Sequence, residues 1–250
     1  MRASIWLFPV FAALSCLPAA ANTVYFTSLA VPGNSVIESA NGNISASALS
    51  AMNGTAAVLA LSFSPAVAGE TITINAITGE VGCCNSIDSY PDGGTDSSIN
   101  ISSSGSLSGF VGPYSVPLTG VFTTSAPPSG APPATLTYAP SDLQDASYSP
   151  LLNQVFFIGD GYTGNDIGTP SQTGSQQVFN VPVGGTQFFL GIEDACNFNG
   201  SPGCYGDNPG SFTVNGQLNN VPGGSSAPEP GAMALIGLGL TAIGLRLRRG

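Results

Sequence analysis

Thr186-Gln-Phe-Phe-Leu-Gly-Ile-Glu-Asp194-Ala-Cys196-Asn-Phe-Asn-Gly-Ser-Pro-Gly-Cys204-Tyr-Gly-Asp-Asn-Pro-Gly-Ser-Phe-Thr-Val214 is the stretch on which the reading of this chain turns. A continuous apolar run ends in Glu193 and Asp194. A loop of Asn, Gly, Ser and Pro follows, bounded by Cys196 and Cys204. Tyr205-Gly-Asp-Asn-Pro-Gly210 then leads into a second strand-like run. Short apolar runs separated by turn formers, with no helical period, argue for β-structure. Asp194, Asp207 and Asn208 each offer a side-chain oxygen at the two edges of this loop, and its glycines free backbone carbonyls. That donor set suits Ca²⁺ and not a soft metal. Asp-Asn-Pro-Gly is also an ordinary turn sequence, whose Asx side chains bond the local backbone.

The same punctuation continues outward. Strands are expected at residues 24–29, 56–63, 71–77, 155–158, 177–181, 186–192 and 211–214. Over residues 71–76 apolar and polar side chains alternate, as in a strand with one wet face. Residues 155–158 and 188–190 are continuously apolar, as in central strands of a sandwich or strands facing a second layer. The Pro-rich segment 126–133 is a loop. Residues 217–227, rich in Gly, Ser, Asn and Pro, read as a linker. The expected architecture is an all-β sandwich over residues 61–216, preceded by N-terminal strands or an extension over residues 22–60.

Charge narrows the chemistry. Charged residues are 7% of the chain and the net charge is -10. The basic residues are Arg2, Arg246, Arg248 and Arg249, with no Lys and no His. Between the ends lie 13 carboxylates, from Glu38 to Asp207, and no cation. No internal salt bridge can form there. Nucleic acid and anionic lipid find nothing to hold them. Catalysis through His, Lys or Arg is excluded, Ser-His-Asp triads included. A paired-carboxylate hydrolase stays formally open, but no spacing points to one, and the expectation is a non-enzyme. Uncompensated carboxylates attract hard cations. Asp92, Asp96, Asp160 and Asp166 lie in glycine-rich loops and read as turn residues.

Cys83, Cys84, Cys196 and Cys204 remain after the N-terminal segment, and three pairings are open. The favoured one is Cys196–Cys204, which closes a small loop for a chain-entropy gain of roughly 2.5 kcal/mol. Cys83 and Cys84 are then a vicinal pair or reduced. Cross-pairing would require the two loops to touch.

Residues 1–21 carry one arginine, an apolar run and Ala19-Ala-Ala21, the order of a secretory signal peptide. The rival reading is a lipoprotein site at Leu14-Ser15-Cys16. At the other end, residues 231–245 are uncharged and mostly apolar and precede Arg246, Arg248 and Arg249, and a transmembrane helix is expected over residues 231–247. The uncharged part, residues 231–245, rises about 22 Å as a helix against about 30 Å of hydrocarbon, a marginal transmembrane span. Arginines after the span stay cytoplasmic. Pro228-Glu229-Pro230, the short apolar segment and Arg246, Arg248 and Arg249 together resemble the PEP-CTERM sorting signal over residues 228–250. The resemblance implies export from a Gram-negative cell and transient anchoring in the inner membrane. It also implies processing by an exosortase, and an extracellular or outer-surface destination linked to polysaccharide.

The body resembles the calcium-dependent galactophilic lectins of the LecA type over residues 61–216. The resemblance rests on Asp194 at a strand end, on Tyr205-Gly-Asp-Asn-Pro-Gly210 before Ser211-Phe-Thr-Val214, on Pro65-Ala-Val-Ala-Gly-Glu-Thr-Ile-Thr-Ile74 and on Val155-Phe-Phe-Ile-Gly-Asp-Gly161. It implies a jelly-roll-like β-sandwich of the galactose-binding type. It also implies Ca²⁺ held by Asp194, Asp207, Asn208 and the carbonyl of Cys204, with a further carbonyl near Cys83 or Cys84. A bound sugar would complete the shell with two vicinal hydroxyls, beside Asp194 and Asn208. Asp stands at 207 where the family has Asn, and the family's sugar-contacting His has no counterpart. The functional expectation is an exported Ca-stabilised carbohydrate-binding module in an extracellular polysaccharide or biofilm matrix. The alternative is a structural surface protein in which Ca²⁺ only rigidifies a loop.

Overall fold

The computed structural model describes residues 22–221, of which Thr23–Val221 form one unit. The signal peptide expected at residues 1–21 and the transmembrane segment expected at residues 231–247 lie outside the described residues. The fifteen strands are β1 (Asn22–Pro32), β2 (Ser35–Val36), β3 (Thr55–Ala56), β4 (Val58–Ser62), β5 (Thr71–Val81), β6 (Ile99–Ile101), β7 (Phe110–Gly112), β8 (Leu118–Thr123), β9 (Leu136–Thr137), β10 (Ser147–Tyr148), β11 (Phe156–Phe157), β12 (Val178–Asn180), β13 (Gln187–Ile192), β14 (Asn199–Gly200) and β15 (Gly210–Val221).

The protein is mainly β, with sheets that mix parallel and antiparallel pairs. A five-stranded sheet runs β1-β15-β5-β12-β10. A six-stranded sheet runs β11-β8-β13-β2-β3, with β4 also pairing to β13. A small third sheet runs β14-β6-β7-β9. All seven expected strands are present. The linker expected at residues 217–227 begins later than its composition suggested. Gln217, Leu218 and Asn219 continue β15 and pair with Thr73, Ile72 and Thr71. A buried Leu218 outweighs the turn-forming bias of its neighbours.

Aromatic rings join the two large sheets. Within the six-stranded sheet Phe188 of β13 stacks on Phe122 of β8 at 5.0 Å, and it meets Phe26 of β1 in the five-stranded sheet edge-on at 6.2 Å. Phe156 of β11 contacts Phe179 of β12 at 5.8 Å. These rings sit on facing sheets, so they form the layer between them. Gly120 in β8 is needed for this packing, because a Cβ there would lie 2.8 Å from the Phe188 ring. β13 is central, with β8 on one side and β4 and β2 on the other. Of the two readings open for residues 155–158, the strand facing a second layer is the one β11 follows. It is a two-residue edge strand, apolar because the facing sheet covers it.

Besides four short 3-10 segments, one short α-helix, Ala46–Ala51, interrupts the β-structure of the described residues. Its Ser45 cap accepts from the Ala48 amide at 3.2 Å. None of its residues is buried, so it carries no apolar stripe for a periodicity search to find.

Phe188 is fully buried at the centre of the aromatic layer. Phe188→Ala is expected to cost about 3–5 kcal/mol. Urea unfolding followed by near-UV circular dichroism measures this, and a loss under about 1 kcal/mol would mean the layer repacks freely.

Candidate functional site

β13 delivers Glu193 and Asp194 to the end of the second sheet. The chain then forms the loop that returns to β15 at Gly210. Cys196 and Cys204 are disulfide-bonded across this loop, with Cα atoms 5.2 Å apart. Within it, β14 pairs with β6 and ties the loop to the third sheet. Tyr205 is the inner anchor and is fully buried. Its hydroxyl accepts from the Asp194 amide at 3.1 Å and lies 3.2 Å from both Glu38 Oε2 and the Ile192 carbonyl, so it donates to one of them at a time.

The fold brings the expected ligand residues together. Asp194, Cys204 and Asp207 line one pocket of about 240 Å³, which Cys83 and Cys84 also line. The 82–85 loop meets the 207–209 turn through hydrogen bonds from the Asn85 amide to the Asp207 carbonyl at 2.9 Å and from the Gly82 amide to the Pro209 carbonyl at 3.2 Å. The Asn208 side chain lies against Asp194. Its Nδ2 donates to the Gly33 carbonyl at 3.4 Å, and its buried Oδ1 has no partner. Asp194, which lines the pocket, is 2% exposed, and Asn208 behind it is 6% exposed. Burial pushes the Asp194 carboxyl up to about 7, with Asp207 and Glu38 adding to the rise against the Asn208 and Ala195 hydrogen bonds. Cys83 and Cys84 are both free thiols, the first buried and the second exposed. Burial pushes the Cys83 thiol above its ordinary value, with Cys84 and Asp96 contributing.

Two acidic groups escaped sequence reasoning. Glu38 follows β2, and nothing in its local sequence separates it from a surface acid. It is fully buried beside Glu193, whose two oxygens both lack a donor. Burial raises both carboxyls, and each also faces the other, so the pair retains a proton well above the ordinary range. The second group joins three loops. The Asp160 amide donates to Asp92 Oδ1 at 2.8 Å, and Asp166 sits beside both carboxylates. The turn reading holds for the local bonds, such as the Tyr162 amide to Asp160 Oδ1 at 2.7 Å and the Thr173 amide to Asp166 Oδ2 at 2.7 Å. Their convergence is a tertiary feature. Burial and the neighbouring acids push Asp160 up to about 8 and Asp92 up to about 6.

Among the described residues no three His, Cys, Asp or Glu side chains are arranged to hold one ion. An ion at the 194–208 loop would therefore rest on Asp194, Asp207, the orphaned Asn208 Oδ1 and backbone carbonyls. These are all oxygen donors, and the set fits Ca²⁺.

Residues 226–249 match the PEP-CTERM protein-sorting motif. The motif implies an exported protein processed by exosortase. No curated protein and no solved structure matches the chain. The expected likeness of the body to LecA-type lectins is therefore not supported by any match. No helix among the described residues is long and apolar enough to cross a membrane.

Two outcomes follow from this geometry. Tyr205→Phe leaves the Asp194 amide and Glu38 without their buried partner, for an expected loss of about 1–3 kcal/mol by urea unfolding. The second concerns pH. Asp92 and Asp160, which face each other and Asp166, hold protons more tightly folded than unfolded. Their stabilising contribution is complete below the ordinary aspartate value of 3.8 and is lost as pH rises through about 6 and about 8. In calcium-free buffer Tm should fall from pH 4 to pH 8, and Asp160→Asn should flatten that slope. A Tm that rises with pH over this window would contradict the assignment.

Proposed function

We propose that this chain is an exported, surface-associated, non-catalytic protein whose jelly-roll-like β-domain is stabilised by Ca²⁺ at the 194–208 loop. The observation that carries the reading is the buried, unpartnered Oδ1 of Asn208, a residue whose side chain hydrogen-bonds Asp194, in a domain without a cationic side chain. A buried amide oxygen with no donor costs about 1–3 kcal/mol unless something binds it. Asp207 and the Cys204 carbonyl, on the same pocket, complete a set of hard donors. A bound Ca²⁺ would neutralise the loop's carboxylates and present open coordination positions to hydroxyl oxygens. The residues do the rest. Tyr205 fixes the Asp194 backbone, and the disulfide holds Cys204 beside it.

In the carbohydrate-binding form of this reading, vicinal hydroxyls of an extracellular polysaccharide reach the ion beside Asp194 and Asn208. The galactose-type site of LecA-like lectins supports this form through the residues that match. A second form is favoured by the burial of Asp194 and Asn208: the ion only fixes the loop, and the domain serves as a structural matrix component. The pocket, at about 240 Å³, falls below the roughly 300–1,000 Å³ usual for small-molecule sites. In both forms the C-terminal segment at residues 231–247 anchors the chain transiently until exosortase acts on Pro228-Glu229-Pro230.

Calorimetric titration with Ca²⁺ tests the site. Asp194→Ala and Asp207→Ala should each weaken binding by about tenfold or more. Unchanged affinity and unchanged stability in both variants would refute it. A glycan array run with and without EDTA separates the two forms. Calcium-reversible glycan binding supports the first, and a Ca²⁺-raised Tm without glycan binding supports the second. Intact-mass spectrometry of the native protein should find the chain cut near residue 230, and a complete C-terminus would argue against exosortase processing.

A further inference from the structure

All four cysteines of the described residues line the same pocket. Two form the disulfide, and two are thiols. Cys84, Cys196 and Cys204 are exposed, whereas Cys83 is buried with its sulfur 3.7 Å from Asp96 Oδ2. Thiol–disulfide exchange needs an accessible thiol beside an accessible disulfide. Cys84 and this bond meet that requirement inside one protein.

We propose that Cys84 is an exchanging thiol that displaces Cys196 from Cys204, so that the pocket switches between two disulfide pairings. The choice of Cys204 as the attacked sulfur follows from the backbone. The 82–85 loop is hydrogen-bonded to residues 207 and 209, immediately after Cys204. Cys196 instead leads into β14, which pairs away toward β6. Cys84 and Cys204 both hold left-handed backbone conformations, with φ of 58° and 64°. Such conformations are costly for residues other than glycine, so neither loop sits in a deep local minimum.

The step balances without an added oxidant. Cys84 loses its proton to water and attacks Cys204 Sγ as the thiolate. The 84–204 bond forms while the 196–204 bond breaks, and the electron pair leaves on Cys196 Sγ, which takes a proton from water. One disulfide and two thiols are present before and after. The product ties the 82–85 loop to the 204–209 turn, both of which line the pocket. The original pairing instead closes the 196–204 loop on itself. The exchange is therefore a means of altering the pocket with the chain's own thiols, and it does not depend on whether Ca²⁺ binds there.

The test uses the purified full chain held at pH 8 without oxygen or added thiol, sampled over hours, acid-quenched and alkylated. Trypsin finds no site between residues 3 and 245, so peptides are cut at acidic and aromatic residues for mass spectrometry. A Cys84–Cys204 peptide pair should appear, with matching loss of alkylated Cys84 and gain of alkylated Cys196, on the minutes-to-hours scale of uncatalysed rearrangement. Cys84→Ser should retain Cys196–Cys204 alone with an unchanged far-UV spectrum. Cys83→Ser should leave the rate within about twofold, because the buried thiol takes no part. Full alkylation of Cys84 with only Cys196–Cys204 present overturns the proposal, as does a Cys84–Cys196 pair. Calorimetric Ca²⁺ titration of the same sample reports on the ion site separately.

Discussion

Thirteen carboxylates fold here without one cationic side chain among residues 22–221, and the buried ones must be held by other means. Three are available: neutral hydrogen-bond donors, retained protons and bound metal. The first is visible at Asp166, which takes the Thr173 amide and hydroxyl. The second is forced at Glu193, whose oxygens meet no donor and face another acid. The third is the reading offered for the 194–208 loop. Every resolved shift of a carboxyl group is upward, and burial is its largest cause. In most proteins paired carboxylates have lowered values and folding weakens in acid. This domain reverses that pattern because it has nothing positive to pair them with.

The constraint acts through one strand. β13 carries Phe188 into the aromatic layer and, a few residues later, Glu193 and Asp194 into the acidic loop. Packing at one end thus sets the position of charge at the other. Tyr205 closes the arrangement from the far side of the loop, with a ring buried in the core and a hydroxyl among three polar groups. The disulfide holds the intervening segment, and β14 fastens it to the third sheet. The pocket is a product of these restraints and not of a separate binding module.

The strands that could be read in advance share a local pattern. Residues 71–76 alternate, and residues 188–190 form an unbroken apolar run within a segment that has turn formers on both sides. β8 does not: Leu-Thr-Gly-Val-Phe-Thr mixes polar, small and apolar residues, yet all six are buried. Thr119 is satisfied there by the Gly191 carbonyl at 3.0 Å, a partner 72 residues away. Short strands such as β6, β7 and β14 exist because a neighbour supplies their hydrogen bonds. In the site, Asp194, Asp207 and Asn208 were legible because they cluster around one loop. Glu38 was not, since the residues that bury it are distant in the chain.

By itself the sequence determined the β-class, the cation-free body and the sorting motif at residues 226–249, whereas the structure chose Cys196–Cys204 from the three open pairings. Each of the first three is a matter of composition or short-range order, readable without knowing which segments meet. Only the tertiary structure decided that the Cys83–Cys84 loop joins the 204–209 turn, and that Glu38 faces Glu193. It also decided that Asp92, Asp160 and Asp166 share one buried corner. Those outcomes depend on pairings between strands far apart in the chain, and on a burial cost that arises only when sheets close over the acids.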